Sequence, residues 1–407
     1  MTSKKRSRNP VPHPRPFSRG EKGGNPLSLR ERARVRETFS SAARYFRRAM
    51  LIALLSIAGA LTATTAFAQT RALPVFEVDP AWPKVPAKWK LGDASSIAID
   101  AQDNVWVLHR PRTLKPAEAA MAAPAVMVFD GAGNYVKSWG GPGAGYEWPE
   151  REHGIHIDHQ GFVWLGGNNC PESGNTGLKP VADDALLKFT QDGKFILQIG
   201  RSNQSKGDTD TQNVHRAADV WVYARMNELF VADGYGNHRV IVFDADTGVF
   251  KRTWGAFGKP PAGVDNCAVT APKTFPDGEG PPNYNVVHAI RVANDGMVYV
   301  ADRENRRLQM FTPDGKFVKQ LVRTGTTFAR DLALSPDREQ QFLYVGGGKE
   351  ILIVDRRTLE VVGSIQPPGI VGPGHHIATD SKGNIYIAQT AAGLQKLTFK
   401  GMSPGGR

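Results

Sequence analysis

The sequence has only two cysteines among its 407 residues, Cys170 and Cys267. Neither lies in a CxxC motif or in another spacing typical of metal ligands, which excludes a site built from several cysteines. In an exported chain, two cysteines in polar loops permit one disulfide, and two free thiols are the alternative. The cysteines therefore indicate at most one cross-link.

Beyond residue 48 there is almost no excess of charge of either sign. Residues 1–48 carry 14 Lys and Arg against 3 Asp and Glu, whereas the remaining residues carry 37 against 36, a net charge of +1. The overall charge of +12 therefore belongs to the beginning of the chain. It gives no indication that the folded part binds nucleic acid or a membrane surface. We interpret residues 1–48 as a basic unstructured leader, or alternatively as the product of a mis-assigned start.

Long hydrophobic runs are missing except in the uncharged segment 49–70, which contains LIALLSIAGALTATTAFA. This run ends in Ala66-Phe67-Ala68, an A-x-A cleavage signal. We predict the hydrophobic segment of a signal peptide at 49–68 and a folded part at 69–407. An uncleaved membrane anchor is the alternative, because the run is long enough to span a bilayer, although Gly, Ser and Thr dilute it. We expect an exported protein, periplasmic or secreted, without membrane contact after cleavage.

Helical periodicity is missing from the folded part. Apolar and polar residues alternate instead over short runs bounded by Asp-Gly and similar turns, as in Asn285–Phe311. Such alternation predicts strands joined by hairpins. The pattern recurs six times, with inner strands headed by Ser95, His153, Ala218, His288, Arg330 and His375. Repeats of about 40 residues with four strands each indicate the blades of a β-propeller.

The ring needs one strand from the beginning of the folded part. The sixth copy has no clear fourth strand, and Pro74–Asp79 offers one. Closing a ring in this way removes exposed sheet edges. We therefore predict an all-β, six-bladed propeller over about residues 72–400. Its long loops (111–125, 168–184, 201–215 and 256–286) all fall on one face, which is then the functional face and holds both cysteines.

Histidines head every second inner strand, in the second, fourth and sixth copies: His153, His288 and His375. Inner strands line the propeller axis, so these three side chains should converge there. Three neutral imidazoles with an open fourth position are typical of catalytic zinc, and nickel, copper or iron could use the same ligands. The nearby histidines at 156, 159 and 376 are predicted to take turn, surface or supporting positions without metal contact.

Polar residues at the ends of the second strands should reach the same face. Arg110, Tyr235 and Arg303 are such residues. Two arginines near a metal indicate a substrate that carries a carboxylate, and the tyrosine is a candidate proton acceptor. In the alternative interpretation, Asp233 and Asp302 bridge blades and the arginines pair with them.

Three stretches carry a resemblance to a known family: HGIHID at 153–158, GYGNHRVIVF at 234–243 and VVHAIRVA with VADRENRRLQMF between 286 and 311. They resemble the NHL-repeat propeller of peptidylamidoglycolate lyases, the lyase half of peptide α-amidating enzymes. The resemblance implies that the three histidines bind zinc and that Tyr235, Arg110 and Arg303 are catalytic. It also implies cleavage of the C–N bond of a peptidyl-α-hydroxyglycine, giving an amide and glyoxylate. Zinc would bind a substrate oxygen, and Tyr235 would take the hydroxyl proton.

The chain departs from that family at several positions. The Asp that binds calcium after the third histidine is His376 here, although the matching backbone carbonyls of Ile97 and Ile155 remain. The family's two disulfides have no counterpart, and its copper monooxygenase has no room in this chain. The substrate is therefore either an α-hydroxyglycine supplied from elsewhere or a related carbinolamide or ureidoglycolate-like compound.

Two other functions remain open. The first is a non-catalytic propeller that binds a ligand or a protein and whose metal, if any, is structural. The second is a propeller hydrolase of the lactonase type, which uses carboxylate and Asn ligands that the histidine ring lacks. For the lyase we expect a monomer that acts on a small-molecule or peptide substrate with a carboxylate.

Overall fold

The computed structural model describes residues 71–172, 177–263, 267, 280–323, 328–347 and 349–404. The chain divides into two units, Met1–Gln69 and Thr70–Arg407. The predicted leader (1–48) and signal segment (49–68) lie outside the described residues. Among the residues that are described, no helix has the length and apolar character needed to cross a membrane.

Twenty-four strands form six four-stranded antiparallel sheets in the described part of the chain. The first three blades are β2 (Asp93–Ile99), β3 (Val105–Arg110), β4 (Val126–Phe129) and β5 (Tyr135–Trp139); β6 (Glu152–Ile157), β7 (Val163–Gly167), β8 (Ala185–Phe189) and β9 (Phe195–Gly200); and β10 (Asp219–Tyr223), β11 (Glu228–Asp233), β12 (Arg239–Asp244) and β13 (Phe250–Trp254).

The other three blades complete the ring. They are β14 (Val287–Val292), β15 (Val298–Asp302), β16 (Arg307–Phe311) and β17 (Phe317–Val322); β18 (Asp331–Leu334), β19 (Phe342–Gly347), β20 (Glu350–Asp355) and β21 (Val361–Ile365); and β22 (His376–Thr379), β23 (Ile385–Gln389), β24 (Gly393–Pro404) and β1 (Ala72–Asp79). Short 3₁₀ helices at Pro111–Thr113, Pro116–Met121 and Ala256–Gly258 lie in the connecting loops.

The sixth blade is closed by the strand that the sequence predicted. β1 pairs antiparallel with β24, from Ala72 opposite Pro404 to Asp79 opposite Lys396. Phe76 of β1 packs into the apolar cluster between the fifth and sixth blades, where its ring contacts those of Tyr344 and Phe399. The prediction of an all-β, six-bladed propeller closed by an N-terminal strand is confirmed.

The tight turns between first and second strands use a repeated hydrogen-bond device. An Asp at the turn accepts backbone N–H groups, and its second oxygen accepts a hydrogen bond from an aromatic side chain six residues later. The pairs are Asp100 with Trp106, Asp158 with Trp164 and Asp380 with Tyr386, at 2.9, 2.9 and 3.0 Å. Asx-type hydrogen bonds of this kind stabilise the turn locally. They also bury the aromatic rings between blades.

The core consists of apolar layers between neighbouring blades. The buried apolar residues of the described chain form six clusters, and each cluster joins two adjacent blades. The cluster between the sixth and first blades, for example, combines Tyr386 and Trp82 with Val107. Because every blade packs against two others, the inner strands are fixed around the axis.

The two cysteines form a disulfide that joins two loops of the predicted functional face. Cys170 follows β7, and Cys267 lies between β13 and β14, with their Cα atoms 5.8 Å apart. The expectation of one cross-link is therefore confirmed, and the alternative of two free thiols is wrong. The bridge connects the second blade to the segment that leads into the fourth.

Candidate metal centre

The three predicted histidines meet on the propeller axis. His153 lies on β6, His288 lies on β14 and His375 immediately precedes β22. The ring centroids are 5.1 Å apart for His153 and His288, 4.7 Å for His153 and His375, and 5.0 Å for His288 and His375. The side chains of His153 and His288 are fully buried. The sequence predicted that these three side chains converge, and the fold brings them together.

Each of these imidazoles is anchored by the next blade. His153 Nδ1 lies 2.7 Å from the carbonyl oxygen of Ala218, His288 Nδ1 lies 2.5 Å from that of Arg330 and His375 Nδ1 lies 2.7 Å from that of Ser95. A carbonyl oxygen only accepts, so Nδ1 carries the proton in each ring. Nε2 then carries the lone pair, as in histidines that bind a metal.

Two glycines allow these rings to reach their positions. A Cβ atom at residue 154 would lie 2.6 Å from the carbonyl oxygen of Ala218, so only Gly154 lets β6 approach the acceptor of His153 this closely. Gly374 has a φ of +92°, in the left-handed region that favours glycine, and it directs His375 toward the axis before β22 begins.

Burial keeps the three imidazoles neutral. Desolvation lowers the pKa of His153, His288 and His375 well below the ordinary value. Neighbouring charges act in the same direction: the Arg303 guanidinium on His288, and the adjacent imidazoles on His153 and His375. Neutral imidazoles with lone pairs on Nε2 fit a zinc-type ion, which takes nitrogen ligands in a tetrahedral arrangement.

Tyr235 lies directly beside the histidines. Its hydroxyl oxygen is 3.1 Å from Nε2 of His153 and 3.2 Å from Nε2 of His288. Arg303 donates from Nη1 to the same oxygen at 2.8 Å. The phenol therefore joins two of the metal-ligand candidates to a guanidinium, in the loop that follows β11.

The two predicted arginines lie near this phenol. Arg303 also donates from Nε to Glu304 at 2.7 Å; burial alone would lower its pKa, but Tyr235 and Glu304 outweigh burial and raise it. Arg110 is buried and donates from Nε to the carbonyl oxygen of Glu152 at 2.8 Å. Burial, reinforced by the charge of Arg151, lowers the pKa of Arg110 to about 10.

The alternative pairing of these arginines with Asp233 and Asp302 is wrong. Asp233 accepts from Nε of Arg239 at 2.8 Å, and Asp302 accepts from Nε of Arg307 at 2.7 Å. Both aspartates also hold an asparagine amide in the same corner, Asn237 and Asn305. The structural pairs thus use other arginines, which leaves Arg303 directed at Tyr235.

The positions of two side chains near the axis, His376 and Arg330, were not anticipated from the sequence. His376 is buried on β22, and it forms a potential metal-binding group with His153, His288 and His375. The sequence predicted a turn, surface or supporting position for it, and the structure places its ring beside the other three. Arg330, whose carbonyl anchors His288, also lies within electrostatic range of Tyr235. The one signal for Arg330 in the sequence was its place at the head of the fifth inner strand.

The calcium site implied by the family resemblance does not fit the residues present. Arg291 bridges Asp219 and Asp331 on the axis, with Nη2 3.2 Å from Oδ1 of Asp331. Both carboxylates are therefore already engaged by one guanidinium, and His376 offers nitrogen where calcium requires oxygen. Ile97 on β2 and Ile155 on β6 are buried, and no role as calcium ligands follows for their carbonyls.

A cavity of about 1020 Å³ opens along the axis at the face of the tight turns. Its lining includes Arg291, Asp219 and Trp221, but not His153, His288 or Tyr235. The histidine centre therefore lies toward the long-loop face, apart from this cavity. The placement agrees with the predicted functional face.

Fold and site together define a six-bladed β-propeller with a buried cluster of neutral histidines on its axis. No family model matches the chain. The resemblance to the amidating lyases is confirmed by named relatives. The chain is 26% identical over 264 residues to peptidyl-glycine alpha-amidating monooxygenase A of Xenopus laevis, a match that covers 60% of this chain and 24% of that protein.

Two further relatives carry informative names. A probable peptidyl-alpha-hydroxyglycine alpha-amidating lyase of Caenorhabditis elegans is 26% identical over 205 residues, which is 49% of each chain. NHL repeat-containing protein 3 of Mus musculus is 23% identical over 247 residues, 59% of this chain and 58% of that protein. The chain thus spans about a quarter of the first relative and about half of the other two.

Among solved structures, a streptogramin B lyase matches with a TM-score of 0.48 and 13% identity, covering 80% of this chain and 98% of that one.

Proposed function

We propose that the chain is an exported, zinc-dependent carbon–nitrogen lyase that cleaves an α-hydroxyglycine-type carbinolamide to an amide and glyoxylate. One observation carries the proposal: the Tyr235 hydroxyl lies within 3.2 Å of Nε2 of both His153 and His288 and accepts a hydrogen bond from Arg303. A proton acceptor, metal ligands and a carboxylate-binding cation are the groups this reaction needs. The name of the Caenorhabditis elegans relative, a probable alpha-amidating lyase, supports the same reaction class.

The substrate carboxylate would bind to the arginines of the long-loop face. Arg303 already directs its guanidinium to the Tyr235 hydroxyl, and Arg110 is buried nearby on the end of β3. Both guanidinium groups form charge-assisted hydrogen bonds with carboxylates, and a planar fork also sets the orientation of the bound group. A small molecule or a peptide that ends in a carboxylate is therefore the expected substrate class, with the chain acting as a monomer.

His153, His288 and His375 would hold zinc through Nε2, because Nδ1 of each ring is occupied by a backbone carbonyl. When bound, the ion supplies Lewis-acid polarisation of a substrate oxygen. Tyr235 would take the proton of the substrate hydroxyl on its phenolic oxygen. The C–N bond then breaks, the carbinol carbon becomes the aldehyde of glyoxylate and the nitrogen leaves as an amide after it takes up a proton from Tyr235. Arg303 donates a hydrogen bond to the Tyr235 oxygen and stabilises negative charge that develops there.

The test is an assay of glyoxylate release from an α-hydroxyglycine derivative by zinc-loaded protein. We expect release that stops when zinc is removed by a chelator and returns when zinc is added. No release at any pH between about 5 and 9, where the neutral and charged forms of typical catalytic groups are both sampled, would refute the substrate assignment.

A non-catalytic NHL-repeat propeller is the second candidate. The similarity to NHL repeat-containing protein 3, which covers 59% of this chain, favours it. In this case the histidine cluster holds a structural metal or none, and the propeller binds a ligand or a protein. The two candidates differ in one measurable respect, because only the lyase depends on the Tyr235 hydroxyl.

Export is the proposed route of the chain. The cross-link between Cys170 and Cys267 suits an oxidising compartment, such as the periplasm or the cell exterior. The predicted signal segment at 49–68 would direct it there. Recovery of the protein with residue 69 at its N-terminus from the periplasm or medium is the expected result, whereas a full-length chain in the cytoplasm would contradict export.

A further inference from the structure

A fourth imidazole completes a tetrahedral arrangement around the axis. The ring centroid of His376 lies 5.3 Å from that of His153, 5.4 Å from that of His288 and 4.9 Å from that of His375. The three other distances are 4.7–5.1 Å. All six edges are thus nearly equal, and one nitrogen from each ring lies within 4.8 Å of the others.

One ring nitrogen of His376 has no hydrogen-bond partner among the described residues. This nitrogen, Nε2, is buried. Nδ1 faces Asp331 at 3.6 Å, which is longer than a hydrogen bond. A buried nitrogen without a partner costs free energy, and native proteins rarely keep one without a ligand or water. The side chain is only 1% exposed, so bulk solvent does not supply that partner.

We infer that His376 is a fourth metal ligand, so that four imidazoles rather than three surround the resting ion. The inference rests on the metal centre of the proposed function. A tetrahedral zinc with Zn–N bonds of about 2.0–2.1 Å would hold four imidazole centroids about 5 Å apart, which agrees with the observed spacing. The site is then closed around the resting ion, and a substrate oxygen would join as a fifth ligand.

The surroundings of His376 explain why an imidazole is accommodated here. Asp331 and Asp219, the acidic groups nearest to it, are bridged by Arg291. The guanidinium offsets one of the two carboxylate charges. A neutral imidazole adds no charge to this buried group, whereas a carboxylate at 376 would add a negative charge without a partner.

The experiment counts imidazole ligands directly. X-ray absorption of the zinc-loaded protein and the visible spectrum of the cobalt-loaded protein would be measured for wild type, His376→Gln and His159→Gln. His159 is an exposed histidine in the turn after β6, so its variant is a matched control. We expect four imidazoles in wild type and in the control and three in His376→Gln, with zinc affinity at least about 10-fold weaker in that variant.

Three imidazoles in wild type, or an unchanged count and affinity in His376→Gln, would overturn the inference. If His376→Gln fails to fold, the number of imidazole ligands in wild type decides the inference without the variant. Failure of the proposed function is separable, because glyoxylate release is measured on the same samples. Four imidazoles without glyoxylate release would support the fourth ligand and refute the lyase. Three imidazoles with glyoxylate release would support the lyase and refute the fourth ligand.

Discussion

Nδ1 of His375 donates a hydrogen bond to the carbonyl oxygen of Ser95 at 2.7 Å, although the two residues are 280 positions apart in the chain. This bond joins the sixth blade to the first. Equivalent bonds join the second blade to the third and the fourth to the fifth. Each histidine is therefore oriented by the blade that follows it, and the geometry of the centre depends on the closed ring.

Removal of one histidine should weaken metal binding strongly. In His288→Ala, zinc affinity should fall by roughly 100-fold or more, because loss of a ligand costs at least as much as loss of its supporting group. Zinc per chain would be measured after exhaustive buffer exchange, beside His159→Ala as a control at an exposed histidine. Wild-type zinc content in His288→Ala would contradict a centre built on this residue.

Tyr235→Phe should separate catalysis from metal binding. The phenol is the proposed proton acceptor, and general acid–base groups contribute about 10²–10⁴-fold, so glyoxylate release should fall by that factor. Zinc content should not change. Tyr135→Phe, on the outer strand β5, serves as the control. Equal glyoxylate release by the two variants would exclude Tyr235 as the proton acceptor, and no release by wild type would favour the non-catalytic propeller.

Arg303→Lys should show that the guanidinium fork is needed, not only the charge. Lysine lacks the planar fork whose Nη1 and Nε donate to Tyr235 and Glu304 in separate directions. A hydrogen bond to a charged group contributes about 1.5–3 kcal/mol, so kcat/KM should fall by roughly 10- to 100-fold. Arg225→Lys, at an exposed arginine in a tight turn, should behave as wild type. Full activity of Arg303→Lys would exclude the proposed role.

Stability should fall in mild acid, in part through His109. Burial lowers the pKa of His109 to about 4 in the folded protein, against about 6.5 when unfolded. Below pH 6.5 the unfolded chain takes up a proton that the folded protein does not, so the free energy of unfolding decreases by about 1.4 kcal/mol per pH unit. This contribution amounts to about 3 kcal/mol by pH 4, where the folded imidazole also becomes protonated.

His109→Gln should remove that part of the pH dependence. Denaturant unfolding of wild type and variant would be compared between pH 7 and pH 4. The slope of unfolding free energy against pH should be smaller in the variant by about 1.4 kcal/mol per unit, whatever the absolute stabilities. Parallel curves would show that His109 titrates alike in both states.

The cross-link between Cys170 and Cys267 should stabilise the propeller. A disulfide that closes a long loop typically contributes about 2–4 kcal/mol, so the double Cys→Ser variant should melt roughly 3–6 °C lower than wild type. Reduced wild-type protein should have the same melting temperature as the double variant, since both lack the disulfide. Identical melting of oxidised wild type and the variant would show that the bridge adds no stability.

The architecture was accessible from the sequence because each blade repeats one local pattern. Alternating strands, Asp-Gly turns and an extra strand at Pro74–Asp79 are local signals, and β1 (Ala72–Asp79) confirms the last of them. The histidines at 153, 288 and 375 were accessible for the same reason. They occupy equivalent positions in the repeat, and equivalent positions converge on the axis of a closed ring.

The rest of the centre depends on side-chain directions that no local pattern encodes. Residues 375 and 376 would face opposite sides of a regular strand, but His375 precedes β22, so both rings reach the axis. Whether Asp302 pairs with Arg303 or Arg307 depends on the turn after β15. The ion pairs of Arg291 with Asp219 and Asp331 join three blades, which only the assembled ring brings together.

The pairing of β1 with β24 also sets the order in which the centre is assembled during synthesis. The sixth blade contains His375 and His376, and it is complete only when its last strand meets the strand that emerged first. A nascent chain with five finished blades therefore still lacks two of its four axial imidazoles. Under the proposed function, metal capture would be a late step of biogenesis, and a loaded ion would mark a molecule whose ring has closed.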